Sequence, residues 1–236
     1  MPEQSSNQQN LSIPVAIVMA GALIAIALYL ASGGTSSGTN TDTGTDAAIT
    51  NAPAVNAADH ILGNPDAPVK VVEYTDFECP FCKQFHTTMK TIMDEYGAKG
   101  QVAWVMRNFP LQQLHPNAPK LAEAAECVAS VGGNDAYWKF IDSVFLQAPV
   151  GSFFDLTKLD STVSGIGVNV QAFESCYQKG TFKDKIQKEF NDAVAAGGKG
   201  TPFSVVVTVG GENVPIPGAL PYANIKSVID QALENK

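Results

Sequence analysis

Positive charge is scarce in this chain of 236 residues: it holds a single arginine, Arg107, and no lysine or arginine occurs before Lys70. Together with a formal net charge of −8, this argues against nucleic acid as a partner. Five of the 23 acidic residues precede Lys70, so the remainder carries 18 acidic against 15 basic side chains and is only mildly acidic. Cysteine is sparse too. Of the four, only Cys79 and Cys82 are closely spaced, while Cys127 and Cys176 stand far apart. A structural zinc site wants a second close Cys or His pair, and none is supplied. Residues 32–59 lack large apolar side chains almost entirely and are rich in Ser, Gly, Thr, Asn and Ala. Such a segment cannot bury enough surface to fold, so it reads as a flexible tether with a root-mean-square reach of roughly 30 Å. No internal repeat is visible.

Long apolar runs are limited to one. After a short polar tail at 1–10, Leu11 to Ala31 carries no charge and is interrupted only by Ser12, Pro14, Gly21, Tyr29 and other small residues. At 1.5 Å per residue it makes roughly 31 Å of helix, enough to cross a bilayer core. A secretory signal peptide is the competing reading, because small residues follow at Ala31-Ser32-Gly33. The run exceeds a usual signal-peptide core and its leader has no Lys or Arg, which favours an uncleaved signal-anchor over 11–31. The charge pattern does not set its orientation.

The most informative feature is Cys79-Pro80-Phe81-Cys82, placed between the apolar run Val69 to Tyr74 and an amphipathic stretch. A strand followed at once by C-x-x-C at a helix start sets the first sulfur over unpaired backbone N–H groups and the positive end of the helix dipole. That environment favours thiolate. Pro80 suits the first helical position, where its missing N–H costs nothing. Three residues of separation bring the sulfurs within bonding distance, so the pair reads as a redox-active dithiol rather than half a zinc site or a structural bridge.

Around it the pattern is that of one α/β domain over 60–236. Val69 to Thr75 reads as a buried strand, and Phe85, Met89, Ile92, Met93 and Tyr96 recur at spacings of three and four up to Gly97, as one buried helix face. Gln101 to Phe109 is a second β-rich run stopped by Pro110. Helical patterns follow at 116–131, 135–146, 156–164, 170–178 and 181–196. Phe203 to Val209 and Asn213 to Ile216 read as strands joined at Gly210-Gly211, and Tyr222 to Leu233 as a closing helix. Sequence-distant β segments enclosing an all-helical block predict an α/β domain with a helical insertion at about 112–196.

With its strand, its CPFC helix and a later Thr201-Pro202 ahead of a strand, the chain resembles the DsbA-like thiol-disulfide oxidoreductases of the thioredoxin fold, specifically their membrane-anchored bacterial subgroup. The resemblance rests on Gly63 to Pro68, Val72 to Cys82, Phe109-Pro110-Leu111 with His115-Pro116, Ala125-Glu126-Cys127 and Gly200 to Phe203, and covers nearly all of 60–236. It implies that Cys79 is the nucleophile, that Cys82 is its buried partner, and that Pro202 is a cis-proline. Pro80, Phe81, Thr201 and Pro202 would face the substrate, which pairs with the Thr201 backbone by strand addition. Glu73, flanked by Val72 and Tyr74, would be an acid beneath the dithiol that relays a proton to or from Cys82. A buried carboxylate needs a role or a partner, and the other reading is that strand alternation points Glu73 to solvent. In some relatives a pair such as Cys127 and Cys176 staples the insertion; two separate buried thiols remain the other reading.

The resemblance further implies no organic cofactor and no metal, reduced exported proteins as substrates, and a membrane quinone-linked reoxidising partner of the DsbB or VKOR type. The domain would lie outside the cytoplasm, held to the cell membrane by a single pass. An oxidant dithiol and a second bridging pair both suit an oxidising compartment. A reductase or isomerase on the same fold, and a peptide-binding chaperone-like module with an incidental dithiol, are the alternatives. One departure stands out: the strong oxidants of that family carry Pro-His between the cysteines, and Phe81 can neither donate a hydrogen bond nor hold charge. His86, one turn after Cys82, reads as a packed, hydrogen-bonded residue and not a metal ligand. His115 matches a family motif position without an assigned role, and His60 marks the tether junction.

Overall fold

The computed structural model describes residues 52–148, 152–208 and 213–235. The expected tail, the anchor over 11–31 and the tether up to residue 51 lie outside the described residues. Among the described residues no helix is long and apolar enough to cross a membrane.

Among the described residues five strands, β1 (His60–Gly63), β2 (Val69–Thr75), β3 (Val102–Asn108), β4 (Phe203–Thr208) and β5 (Val214–Pro217), form one sheet in the order β1-β3-β2-β4-β5. Only β2 and β3 pair in parallel, and the other three contacts are antiparallel. A parallel pair needs a crossover, supplied by α1 (Pro80–Ile92), which ends in a π-helical turn at Met93–Gly97. Strand β2 reads as a near-continuous apolar run because both of its faces are covered. Val69 and Val71 pack with Phe85, Met89 and Ile92 of α1, while Val72 and Tyr74 pack with Phe109, Ala193 and Phe203 on the other side.

Between β3 and β4 lies the helical block: α2 (Ala118–Gln147), a 3-10 turn Leu156–Lys158 running into α3 (Leu159–Gly165), α4 (Val170–Lys179) and α5 (Lys183–Ala195); α6 (Tyr222–Glu234) closes the chain. This is the α/β thioredoxin fold with an inserted helical region. The two helices expected over 116–131 and 135–146 form one element broken at Gly133, whose φ of 82° is open to glycine at little steric cost. Cys127 on α2 and Cys176 on α4 are joined by a disulfide across 49 residues of sequence.

Two features escaped the sequence pattern. Strand β1 has four residues and ends on a glycine, too short for periodicity to mark. Residues 52–59, read as the end of the tether, lie on the sheet, with Ala52 and Val55 packed against the cluster of Tyr74 and Phe203. The sole arginine holds them there. Arg107 Nε and Nη2 donate to Asp59 at 2.7 and 2.9 Å, and Nη1 and Nη2 donate to the carbonyls of Pro53 and Ala54. His60 is equally engaged: it pairs with Glu126 at 3.0 Å and stacks on Tyr137 at 3.7 Å.

Candidate active site

Cys79 is the N-cap of α1, in extended conformation, and Pro80 opens the helix. The turn ahead of it is organised by Asp76. The Cys79 N–H donates to the Asp76 carbonyl at 3.1 Å, and the Asp76 N–H donates to Cys82 Sγ at 3.5 Å. The Asp76 carboxylate, itself buried, accepts from Glu78 N at 2.8 Å, from Leu111 N at 2.7 Å and from His115 Nδ1 at 2.9 Å. Glu78 Oε2 accepts from Asn117 N at 2.8 Å, just ahead of α2. Two acids of the redox turn therefore bind the loop 111–117. The sequence pattern did not mark Asp76, because a buried acid among hydrogen-bond donors from a distant loop carries no local signature.

The two thiols are electrostatically unlike. Cys79 is pulled down to about 6, first by the hydrogen bond from Cys82, and then by the Thr201 side chain and the backbone N–H groups of Cys82 and Phe81, against the opposing effect of burial. The backbone N–H share is the helix-terminus effect the spacing predicts, and the larger share comes from Cys82. Cys82 is fully buried and pushed up, by burial first, then by Cys79 and by the charge of Glu73. Glu73 faces inward: it is 0% exposed, its Oε2 accepts from Trp104 Nε1 at 2.9 Å, and burial pushes it up to about 8. A group with that value is neutral at pH 7 and can donate a proton.

Across from Cys79 lies the segment before β4. The Cys79 thiol donates to the Thr201 carbonyl at 3.4 Å, and the Thr201-Pro202 bond is cis. Phe81 is 60% exposed beside Cys79, which itself is only 4% exposed. The structure thus gathers Cys79, Pro80, Phe81, Cys82, Thr201 and Pro202 around one sulfur, with Glu73 in the layer below. Cys127 and Cys176 lie elsewhere, in the helical block. His86 is a packed side chain: its Nε2 bonds Asp142 at 2.7 Å and its ring lies 5.0 Å from those of Trp104 and Phe145. Among the described residues no three His, Cys, Asp or Glu side chains come together as a metal site.

A family model described as Thioredoxin matches residues 55–231. Among solved structures, the chain is similar to oxidised BdbD from Bacillus subtilis, with a TM-score of 0.69, 23% identity, and coverage of 79% of this chain and 98% of that one. It is similar to DsbA2 from Pseudomonas aeruginosa, with a TM-score of 0.61, 26% identity, and coverage of 76% and 96%. The alpha-DsbA1 of Wolbachia pipientis gives 0.66 at 24% identity, covering 77% and 94%. Among curated proteins, 84 residues are 43% identical to Na(+)/H(+) antiporter NhaA 3 of Salinispora tropica, covering 36% of this chain and 12% of the antiporter. A stretch of 144 residues is 28% identical to the NhaA antiporter of Herminiimonas arsenicoxydans, covering 61% of this chain and 21% of that protein. The matched part thus spans only about an eighth to a fifth of these curated relatives' length.

Proposed function

The chain belongs to the thioredoxin family, with the fold of the DsbA-like thiol-disulfide oxidoreductases and their Cys-x-x-Cys pair, and from this we propose that it introduces disulfides into exported proteins. In the oxidised enzyme a substrate thiolate attacks Cys79 Sγ; the bond between substrate and Cys79 forms as the Cys79–Cys82 bond breaks. Cys82 leaves, and because its thiol value is pushed up, it takes a proton, which neutral Glu73 supplies. A second substrate thiolate then attacks the substrate sulfur of the mixed disulfide and releases Cys79 as thiolate. Two electrons pass from the substrate to the Cys79–Cys82 pair.

The observation that supports the oxidising direction is the asymmetry between the two sulfurs. A Cys79 thiol held near 6 stabilises the reduced enzyme, and that makes the disulfide a better oxidant. Reoxidation falls to a membrane quinone-linked partner of the DsbB or VKOR type. In this reading residues 11–31 anchor the chain in the cell membrane by a single pass, 32–51 tether it, and the folded domain works outside the cytoplasm. The Cys127–Cys176 bridge supports that placement, since such bridges persist in oxidising compartments.

The test is the reduction potential of the 79–82 pair in the full chain in detergent, equilibrated against glutathione. A value of about −120 to −180 mV supports the disulfide donor; one near about −270 mV selects the electron-fed reductase, the reading that Phe81 in place of a donor residue favours.

A further inference from the structure

A groove of about 830 Å³ lies between the loop after β3 and the helices α4 and α5. Two of its lining residues trace back to the redox centre. Leu111 lines it and donates its N–H to Asp76, the residue whose backbone touches both cysteines. Lys199 lines it and lies two residues before Thr201, whose carbonyl accepts from Cys79. Gly198 makes that approach possible: a Cβ there would sit 2.9 Å from the Ala193 carbonyl oxygen and 3.0 Å from the Phe203 ring.

The groove is apolar along Leu111, Leu114, Ile186 and Phe190, and Leu114 is 68% exposed. Its charged groups are unbalanced. Lys120, Lys183 and Lys199 line it and are exposed. The one carboxylate among the described lining residues, Glu123, is buried, accepts from the Phe182 N–H at 2.9 Å, and is raised by burial toward its neutral form. Three cations beside one masked acid, in a chain of net charge −8, form a local positive field that favours anionic side chains.

We infer that this groove holds the substrate polypeptide next to its reacting cysteine, and that it selects segments in which leucine-like side chains alternate with aspartate or glutamate. The inference rests on the proposed exchange at Cys79 and specifies its substrates. A segment paired with the Thr201 backbone runs past Lys199 into the groove. The apolar side chains cover Leu111 and Phe190, and the lysines meet the acids.

The experiment compares the oxidised full-length chain in detergent against two reduced synthetic peptides that share their cysteines and leucines. One has the cysteines flanked by Glu and Asp, the other by Lys. Dithiothreitol oxidation is the control. The acidic peptide should be oxidised at least about fivefold faster at low ionic strength, and the gap should narrow in about 0.5 M salt. In a chain carrying Lys120→Gln, Lys183→Gln and Lys199→Gln the gap should close, with dithiothreitol oxidation unchanged. Equal peptide rates alongside normal dithiothreitol oxidation would overturn the groove assignment and leave the proposed function standing. A preference that persists in the triple variant would overturn it as well. Failure to oxidise dithiothreitol would remove the proposed function and this inference together.

Discussion

Trp104 donates its indole N–H to Glu73 Oε2 at 2.9 Å across the parallel pair of strands, inside a layer where both side chains are 0% exposed. The side chains of Thr75 and Trp104 both favour the ionised form of Glu73, but complete burial outweighs them, and that burial holds Glu73 in its acid form up to about pH 8. A single side chain therefore stores a proton in the layer below the dithiol, at a cost to folding.

That cost has a sign in pH. A folded-state value raised above the unfolded one means stability is fully present below about pH 4.5 and lost as pH rises toward about 8. Glu73→Gln keeps the acceptor for Trp104 and removes the titration, so it should stabilise the protein by roughly 2 to 3 kcal/mol at pH 7 and by almost nothing at pH 4. Urea unfolding at the two pH values checks this. The same variant should oxidise substrate more slowly, because Cys82 loses its proton source.

Cys79 gives the opposite dependence. Its folded value near 6 lies below that of an ordinary thiol near 9. Reduced enzyme should gain stability over oxidised enzyme as pH rises through that interval, and lose the advantage as pH falls through about 6. Thermal unfolding of both forms from pH 5 to about 9 measures it. Thiolate absorbance should titrate near 6 in the wild type and higher in Cys82→Ala, which lacks the leading hydrogen-bond donor to Cys79. An unchanged midpoint in Cys82→Ala would leave Thr201 and the helix-terminal N–H groups as the cause.

The clamp between redox turn and loop is tested at His115. Its Nδ1 is one of three donors to the Asp76 carboxylate, and removing a donor to a buried charge costs about 1.5 to 3 kcal/mol. His115→Ala should lose that much stability in urea. A loss under about 0.5 kcal/mol would show that the two backbone N–H groups suffice to hold Asp76.

The Cys127–Cys176 bridge closes 49 residues. In the chain-entropy account a loop of that length is worth about 4 kcal/mol, so the double variant Cys127→Ala, Cys176→Ala should unfold at much lower denaturant. Dithiothreitol oxidation by the variant while still folded should match the wild type. A drop in that rate would tie the bridge to the chemistry instead of the scaffold.

Local pattern alone located the strand Val69–Thr75, the CPFC junction with Pro80 at the helix start, and the helical block before the β4–β5 hairpin. Each of these is written in contiguous residues: apolar runs, a three-residue cysteine spacing, glycine and proline punctuation. What tertiary structure decided is where distant groups meet. Asp76 became a hub because Leu111 and His115 arrive from beyond β3. Glu73 turned inward onto Trp104 because β2 is covered on both faces. Residues 52–59, polar and small in sequence, were drawn onto the sheet by the one arginine, whose buried charge required Asp59. Lys120, Lys183 and Lys199 look like ordinary surface lysines in the sequence and share a groove only because α2, α5 and the segment before β4 converge there. Periodicity reports burial of one element at a time; the pairing of charges and donors between elements depends on distances that only the folded chain sets.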